Sequence, residues 1–270
     1  MAFSDGSARR GGRDVAMIPI VQAERLSKSF GGLRAVDEVD FAVEAGSITG
    51  IIGPNGAGKT TLFNLISRAL PATAGRIVFD GHDITRLQAH DVARRGLART
   101  FQATTLFGDA TALENVLVGH RQRTSSGLLD ALVRSGRLAR EEREADAAAR
   151  EALASVGLDD AGDRRASSLT QEQQKRLAIA LALVARPRLL LLDEPFAGIN
   201  ANQTRGLIAL IETVAASGVT ILLIEHQMQV VMHLCRRIMV LDYGKKIAEG
   251  TPDEIKSNPA VLDAYLGHHA

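Results

Sequence analysis

The sequence predicts an α/β domain interrupted by an all-helical insertion. Short apolar runs alternate with amphipathic segments at both ends of the chain, as buried strands and covering helices do. One such run opens into a glycine-rich turn followed by a helical pattern. Between Leu106 and Ala166 strand-like alternation disappears. A chain of 270 residues is long enough for one large domain with an inserted subdomain.

In chain order, residues 1–20, "MAFSDGSARRGGRDVAMIPI", place arginines before an apolar patch too brief and interrupted for a secretory signal. They are expected to be a disordered leader. The α/β core is expected over 21–105 and 167–270, with the helical insertion at 106–166. "SITGIIG" (Ser47–Gly53) is a buried strand that runs into the helical "KTTLFNLISRAL". The insertion is rich in Ala, Arg and Glu. Arg137–Glu141 and Arg140–Glu144 stand four residues apart, as on a solvated helix face, and a loop is expected at Thr124–Gly127. "RLLLLDEP" and "GVTILLIEH" are two further buried strands ending in polar residues. "RIMVLDYGKKIAEG" reads as a hairpin turning at Asp242–Gly244.

Composition narrows the function classes. A formal net charge of +1 gives no general attraction for nucleic acid, and with no Trp, two Tyr and eight Phe a stacking platform for single strands is not expected. The single Cys, Cys235, excludes an internal disulfide and reads as a small apolar residue on a packed helix in a reducing compartment. No window approaches the roughly 18 apolar residues that span a bilayer. Any membrane connection is therefore expected to come through a partner.

The chemistry is concentrated in two places. Gly53-Pro54-Asn55-Gly56-Ala57-Gly58-Lys59-Thr60-Thr61 has the G-x-x-x-x-G-K-[ST] spacing between a strand and a helix. Glycines there let main-chain N–H groups close around phosphate oxygens, and the helix start adds partial positive charge. Lys59 is placed to reach β- and γ-phosphates, and the Thr60 hydroxyl to ligate Mg2+. The second place is "LLLLDEP". A carboxylate ending a buried strand is costly unless it is paired or beside a metal. Asp193 is suited to hold Mg2+, and Glu194 to polarise an attacking water. Alone, an acidic pair closing a strand before Pro195 would have a purely structural explanation; the phosphate loop upstream favours the chemical one.

The order "GPNGAGKTT", "RTFQ", "LLLLDEP", "IEH" resembles the nucleotide-binding subunit of an ABC transporter, from about Val21 to Gly267. The resemblance implies a P-loop NTPase core of ABC type with an inserted all-helical subdomain and an antiparallel β portion near the N-terminus. It implies that Gln102 senses Mg2+ and the attacking water, that His226 contacts the γ-phosphate, and that Phe30 stacks on adenine. "SFGGLRAVDEVDF", "ALENVLVG", "FAGIN", "IEHQMQVVM" and "NPAVLDAYLG" narrow the likeness to ATPases of branched-chain amino acid importers. Implied partners are a second ATPase subunit, two membrane permease subunits and, indirectly, a periplasmic or extracellular binding protein. The implied location is peripheral, on the cytoplasmic face of the membrane. Transporters of urea, other amides or lipopolysaccharide, and a catalytically silent regulatory subunit, are the alternatives.

One segment departs from the family. The signature helix start, L-S-G-G-Q across the superfamily, falls on Leu169, Thr170, Gln171, Glu172 and Gln173. Thr170-x-x-Gln173 makes a good capping box, so the helix is expected to form normally. Glu172, however, brings a carboxylate to the end that would receive a partner's γ-phosphate. At about 4 Å and an effective dielectric near 20 that repulsion is about 4 kcal/mol. The site completed by this helix is expected to be weakened, which in a heterodimer leaves one competent and one weak site.

Overall fold

The structure, a computed structural model, describes residues 19–100, 106–121 and 136–266. Gln102 and the loop expected at Thr124–Gly127 lie outside these residues, as does most of the expected leader. The exception corrects the leader's boundary. Strand β1 (Pro19–Phe30) begins at Pro19, and Ile20 and Val21 are buried. The apolar patch at the end of the leader is apolar because its last residues enter the core.

β1 pairs antiparallel with β2 (Leu33–Glu44) across the Gly31–Gly32 turn. β3 (Ile48–Ile52) then passes through the glycine-rich turn into α1 (Lys59–Ile66). β4 (Ala74–Phe79) and β5 (His82–Asp83) complete an antiparallel sheet in the order β2-β1-β4-β5. The short α2 (Ala89–Arg94) leads to β6 (Leu97–Arg99).

Helices α3 (Ala112–Arg121) and α4 (Gly136–Ser155) occupy the region expected to be a helical insertion. Thr111 and Glu114 cap the start of α3 reciprocally, Thr111 N donating to Glu114 Oε2 at 2.7 Å and Glu114 N to Thr111 Oγ1 at 3.1 Å. Arg140 meets Glu144 at 3.0 Å on an exposed face of α4. α5 (Gln171–Leu183), packed on α3 and α4, returns the chain to the core.

The rest of the chain alternates strand and helix: β7 (Leu189–Asp193), α6 (Ala201–Ala216), β8 (Thr220–Ile224), α7 (Met228–Leu234), β9 (Arg237–Asp242) and β10 (Lys245–Gly250). α8 (Pro252–Lys256) and α9 (Pro259–Leu266) follow. The second sheet has the order β10-β9-β3-β8-β7-β6, parallel except for the β9–β10 hairpin. β3, β7 and β8 are buried at every position, as expected for strands covered on both faces. One apolar cluster, around Phe63, Phe79 and Leu191, lies between the two sheets, and another, around Leu153, Leu177 and Leu192, joins the helices to the opposite face.

Candidate active site

Parallel strands in register bring their carboxyl ends to one edge, where ligands of such sheets bind. Ile51 is level with Ile224, and Ile224 with Asp193. The turn after β3, the acidic pair after β7 and the histidine after β8 therefore meet there, although they are far apart in sequence.

The glycine-rich turn needs its glycines. Gly53, Gly56 and Gly58 have φ of 151°, 82° and 98°. A Cβ on Gly53 would run into the carbonyl oxygen of Leu241, and one on Gly58 into that of Ala35. Ala57 is buried and anchors the turn in the core. The β9–β10 turn braces it from below: Gly244 N donates to Ala57 O at 3.1 Å, and Asp37 N to Gly244 O at 2.8 Å. Lys59 is 7% exposed, its Nζ donating to Gly53 O at 2.7 Å and to Pro54 O at 2.9 Å. Burial lowers the pKa of this ammonium, opposed by the charges of Glu194 and Asp193. Thr60 is exposed beside it, next to Thr61. Asn55 and Gly56 are exposed at the tip.

Asp193 ends β7 almost completely buried. Its Oδ2 accepts from Arg99 Nη2 at 2.9 Å, whereas its Oδ1 has no hydrogen-bond partner. Burial raises the carboxyl's pKa, opposed chiefly by the Arg99 hydrogen bond and charge. Glu194 follows at φ 48°, a left-handed conformation unusual for a residue with a side chain. That turn directs its Oε1 to within 2.9 Å of His226 Nε2. Two residues proposed for different steps on sequence grounds are thus in direct contact.

Phe30 closes β1 with 47% of its surface exposed, and Lys28 Nζ lies 5.1 Å from its ring centroid. It pairs with Leu33 at the end of the hairpin where β2 runs on to Ala35, the residue abutting Gly58. The structure therefore brings Phe30 to the glycine-rich end of the core. Gln102 lies outside the described residues, whereas Arg99 is among them. This residue stands in "RTFQ" without a role read for it, at the end of the short strand β6.

Helix α5 begins as its sequence implies. Gln173 N donates to Thr170 Oγ1 at 3.2 Å, and Thr170 N to Gln173 Oε1 at 3.1 Å. Glu172 turns along its own helix. Its carboxylate pairs with Arg176 one turn further along, and Arg176 Nη1 also reaches Val156 O at 2.9 Å. The side chain follows its own helix because an i,i+4 cation lies within reach. Gln171 lies against the loop after β7, where a Cβ on Gly198 would strike its amide.

A glycine-rich strand-to-helix turn beside a buried carboxylate and a carboxylate–histidine pair is the arrangement found in P-loop nucleoside-triphosphate hydrolases. Comparison with known proteins makes the class specific. Residues 36–197 match the family described as "ABC transporter", and residues 245–270 the family described as "Branched-chain amino acid ATP-binding cassette transporter". The high-affinity branched-chain amino acid transport ATP-binding protein BraF of Pseudomonas aeruginosa is 43% identical over 92% of this chain and 98% of its own. LivG of Escherichia coli K12, described in the same words, is 40% identical over the same shares. Among solved structures, a nucleotide-free ATP-binding cassette from an ABC transporter superposes with a TM-score of 0.81, at 33% identity over 92% of this chain and 99% of that one. The ADP conformation of MJ1267, an ATP-binding cassette of an ABC transporter, gives 0.80 at 31% identity, over 93% of this chain and 99% of that one. This chain belongs to the ABC transporter family, as an ATP-hydrolysing cassette.

Proposed function

We propose that the chain is the ATP-binding and ATP-hydrolysing subunit of an importer for branched-chain amino acids. The Glu194–His226 contact at the phosphate-loop edge carries the hydrolytic part of this reading. The amino acid class rests on kinship with BraF and LivG over nearly the whole chain.

In this reading Gly53–Thr61 wraps the phosphates of ATP and Phe30 stacks on its adenine. Glu194 takes the proton of the attacking water, while His226 orients the γ-phosphate and the Glu194 carboxylate. The Thr60 hydroxyl and the unpartnered Oδ1 of Asp193 are oxygens of the kind Mg2+ takes, and Gln102, outside the described residues, would add an amide oxygen. When bound, the ion neutralises charge on the β- and γ-phosphates.

No described helix is long and apolar enough to cross a membrane; in this reading separate permease subunits form the path for the cargo. A cleft of about 530 Å³ between α2, α3 and α5, edged by exposed Phe107 and Val118, suits a short helix from such a subunit. The subunit then sits on the cytoplasmic face of the membrane, served on the opposite side by a binding protein.

The partner ATPase is a different chain in this proposal, with Thr170–Gln173 facing its nucleotide. The Glu172–Arg176 pair partly cancels the charge that would repel a phosphate, but two side chains still stand where the family keeps glycines. One weak composite site follows, and Glu172→Gly raises steady-state ATPase in the assembled transporter. An unchanged rate and ATP affinity would remove the asymmetry from the proposal. The main test compares phosphate release by wild type and Glu194→Gln, together with cellular uptake of labelled leucine. Equal release would favour the silent regulatory subunit, the reading motivated by Gln171 and Glu172. Turnover without leucine, isoleucine or valine uptake would point to another cargo.

A further inference from the structure

Glu225, the residue before His226, has a place in the site that neither motif nor kinship assigns. It is 3% exposed, and a buried carboxylate is expensive unless its oxygens are well used. Here they accept main-chain donors from two loops. Oε1 accepts from His226 N at 2.8 Å and Gln227 N at 3.1 Å, in the loop after β8. Oε2 accepts from Phe196 N at 3.3 Å, in the loop after β7. Gln227 Nε2 donates back to Phe196 O at 3.2 Å, and Glu194 N donates to Ile224 O at 2.9 Å.

A neutral side chain cannot replace this pattern. All three donors converge on acceptor oxygens, so both carboxylate oxygens must remain acceptors. With an amide in place of the carboxylate, an NH2 group would confront one of the donors. The loops joined in this way carry Glu194 and His226. Glu194 is held at a left-handed φ, which persists only where surrounding structure enforces it.

A cation extends the arrangement to a third element. Lys175, on α5, donates from Nζ to Glu194 O at 3.4 Å. Burial lowers the pKa of this ammonium, opposed first by the charge of Glu225 and then by that of Glu194. Lys175 thus binds the main chain of Glu194 from the helix that Thr170 caps, with the charge of Glu225 near enough to act on it.

We propose that Glu225 is a positioning residue for hydrolysis: its buried carboxylate sets the His226–Glu194 contact by clamping two loops together, and Lys175 ties that clamp to α5. The inference rests on reading Glu194 and His226 as base and orienting group.

The test uses the full chain assembled with its transporter partners and measures kcat, KM for ATP, nucleotide-binding stoichiometry and the melting temperature. Glu225→Gln is nearly isosteric and reverses one acceptor. It is expected to lower kcat about tenfold, in keeping with the cost of small misplacements, with KM within twofold and every site still binding nucleotide. In a cycle with His226→Ala, the double variant should be little slower than His226→Ala alone, because both changes act on one contact. Lys175→Met is expected to lower kcat several-fold and Lys175→Arg to restore it. Should Glu225→Gln fold poorly, the Lys175 pair carries the test.

A kcat within twofold of wild type for both Glu225→Gln and Lys175→Met would overturn the proposal. So would effects of Glu225→Gln and His226→Ala that simply multiply, or a fall in kcat matched by lost binding sites. If His226→Ala and Glu194→Gln themselves leave kcat unchanged, the underlying reading of the site is what has failed.

Discussion

Arg99 holds Asp193 by one carboxylate oxygen, Nη2 to Oδ2 at 2.9 Å, and leaves the buried Oδ1 without a hydrogen-bond partner. Both side chains are almost fully buried, at 6% and 1% exposure. Arg99 Nη1 reaches Asn64 Oδ1 at 2.6 Å and Ser67 Oγ at 3.3 Å, so the same guanidinium ties β7 to α1 behind the phosphate loop. The ring of Phe63 lies beneath it at 5.6 Å.

Arg99→Met strands a buried carboxylate and should cost about 3–5 kcal/mol of stability at neutral pH, measured by urea unfolding. The pH dependence follows from burial, which already raises the carboxyl's pKa. Without its cation the native carboxyl binds a proton at higher pH than the unfolded one, so native Asp193 gains stability as pH falls. The deficit of Arg99→Met should therefore shrink between pH 7 and 4. A constant deficit would mean that the damage is packing rather than charge.

Gly58→Ala should abolish high-affinity nucleotide binding. The residue stands at φ 98°, and the new methyl would meet the Ala35 carbonyl in main chain that cannot swing away. Gly56 offers the control: it too has positive φ, but a Cβ there meets nothing within 4 Å. Gly56→Ala should pay for the strained backbone without the collision and retain measurable binding by fluorescent-nucleotide titration.

Thr170→Ala removes the N-cap of α5, and Gln173 N loses its acceptor. About 1 kcal/mol of stability should be lost, and Thr170→Ser should keep most of it. Loss of several times that amount would show that the segment supports more than its own helix.

Cys235 is buried at the end of α7, and burial pushes its thiol pKa up to about 12. Native protein at pH 8 then holds roughly one thiolate in ten thousand, so an aromatic disulfide reagent should react only after unfolding. Because the unfolded thiol ionises near pH 8.5 and the native one does not, this residue contributes stability that is lost as pH rises from about 9 toward 12. Cys235→Ala should flatten that alkaline limb. Rapid labelling of native protein would contradict the burial.

The motifs were legible because their chemistry is local. The G-x-x-x-x-G-K-[ST] pattern is defined by spacing alone, so glycines followed by Lys59 and Thr60 between a strand and a helix can be read directly from the sequence. The capping box of Thr170 and Gln173 is also local, reaching only three residues. Strand-length runs marked β3, β7 and β8 because parallel strands buried on both faces must be apolar throughout. Glu172 was harder to read. Its partner, Arg176, stands four residues away in plain sight, but sequence alone does not choose between a side chain aimed at the helix end and one turned back along it.

What the sequence determined by itself, then, was the set of candidate groups: the glycine-rich turn, Asp193 and Glu194 through their neighbours in the chain, and His226 through resemblance. The tertiary structure decided which of them touch and what holds them. Arg99 and Asp193 are 94 positions apart, and Glu225 and Phe196 are 29. No local pattern announces such pairs, since they exist only once parallel strands in register align their ends. A buried charge must find its partner wherever the packed core provides one, and the sheet order settles where that is.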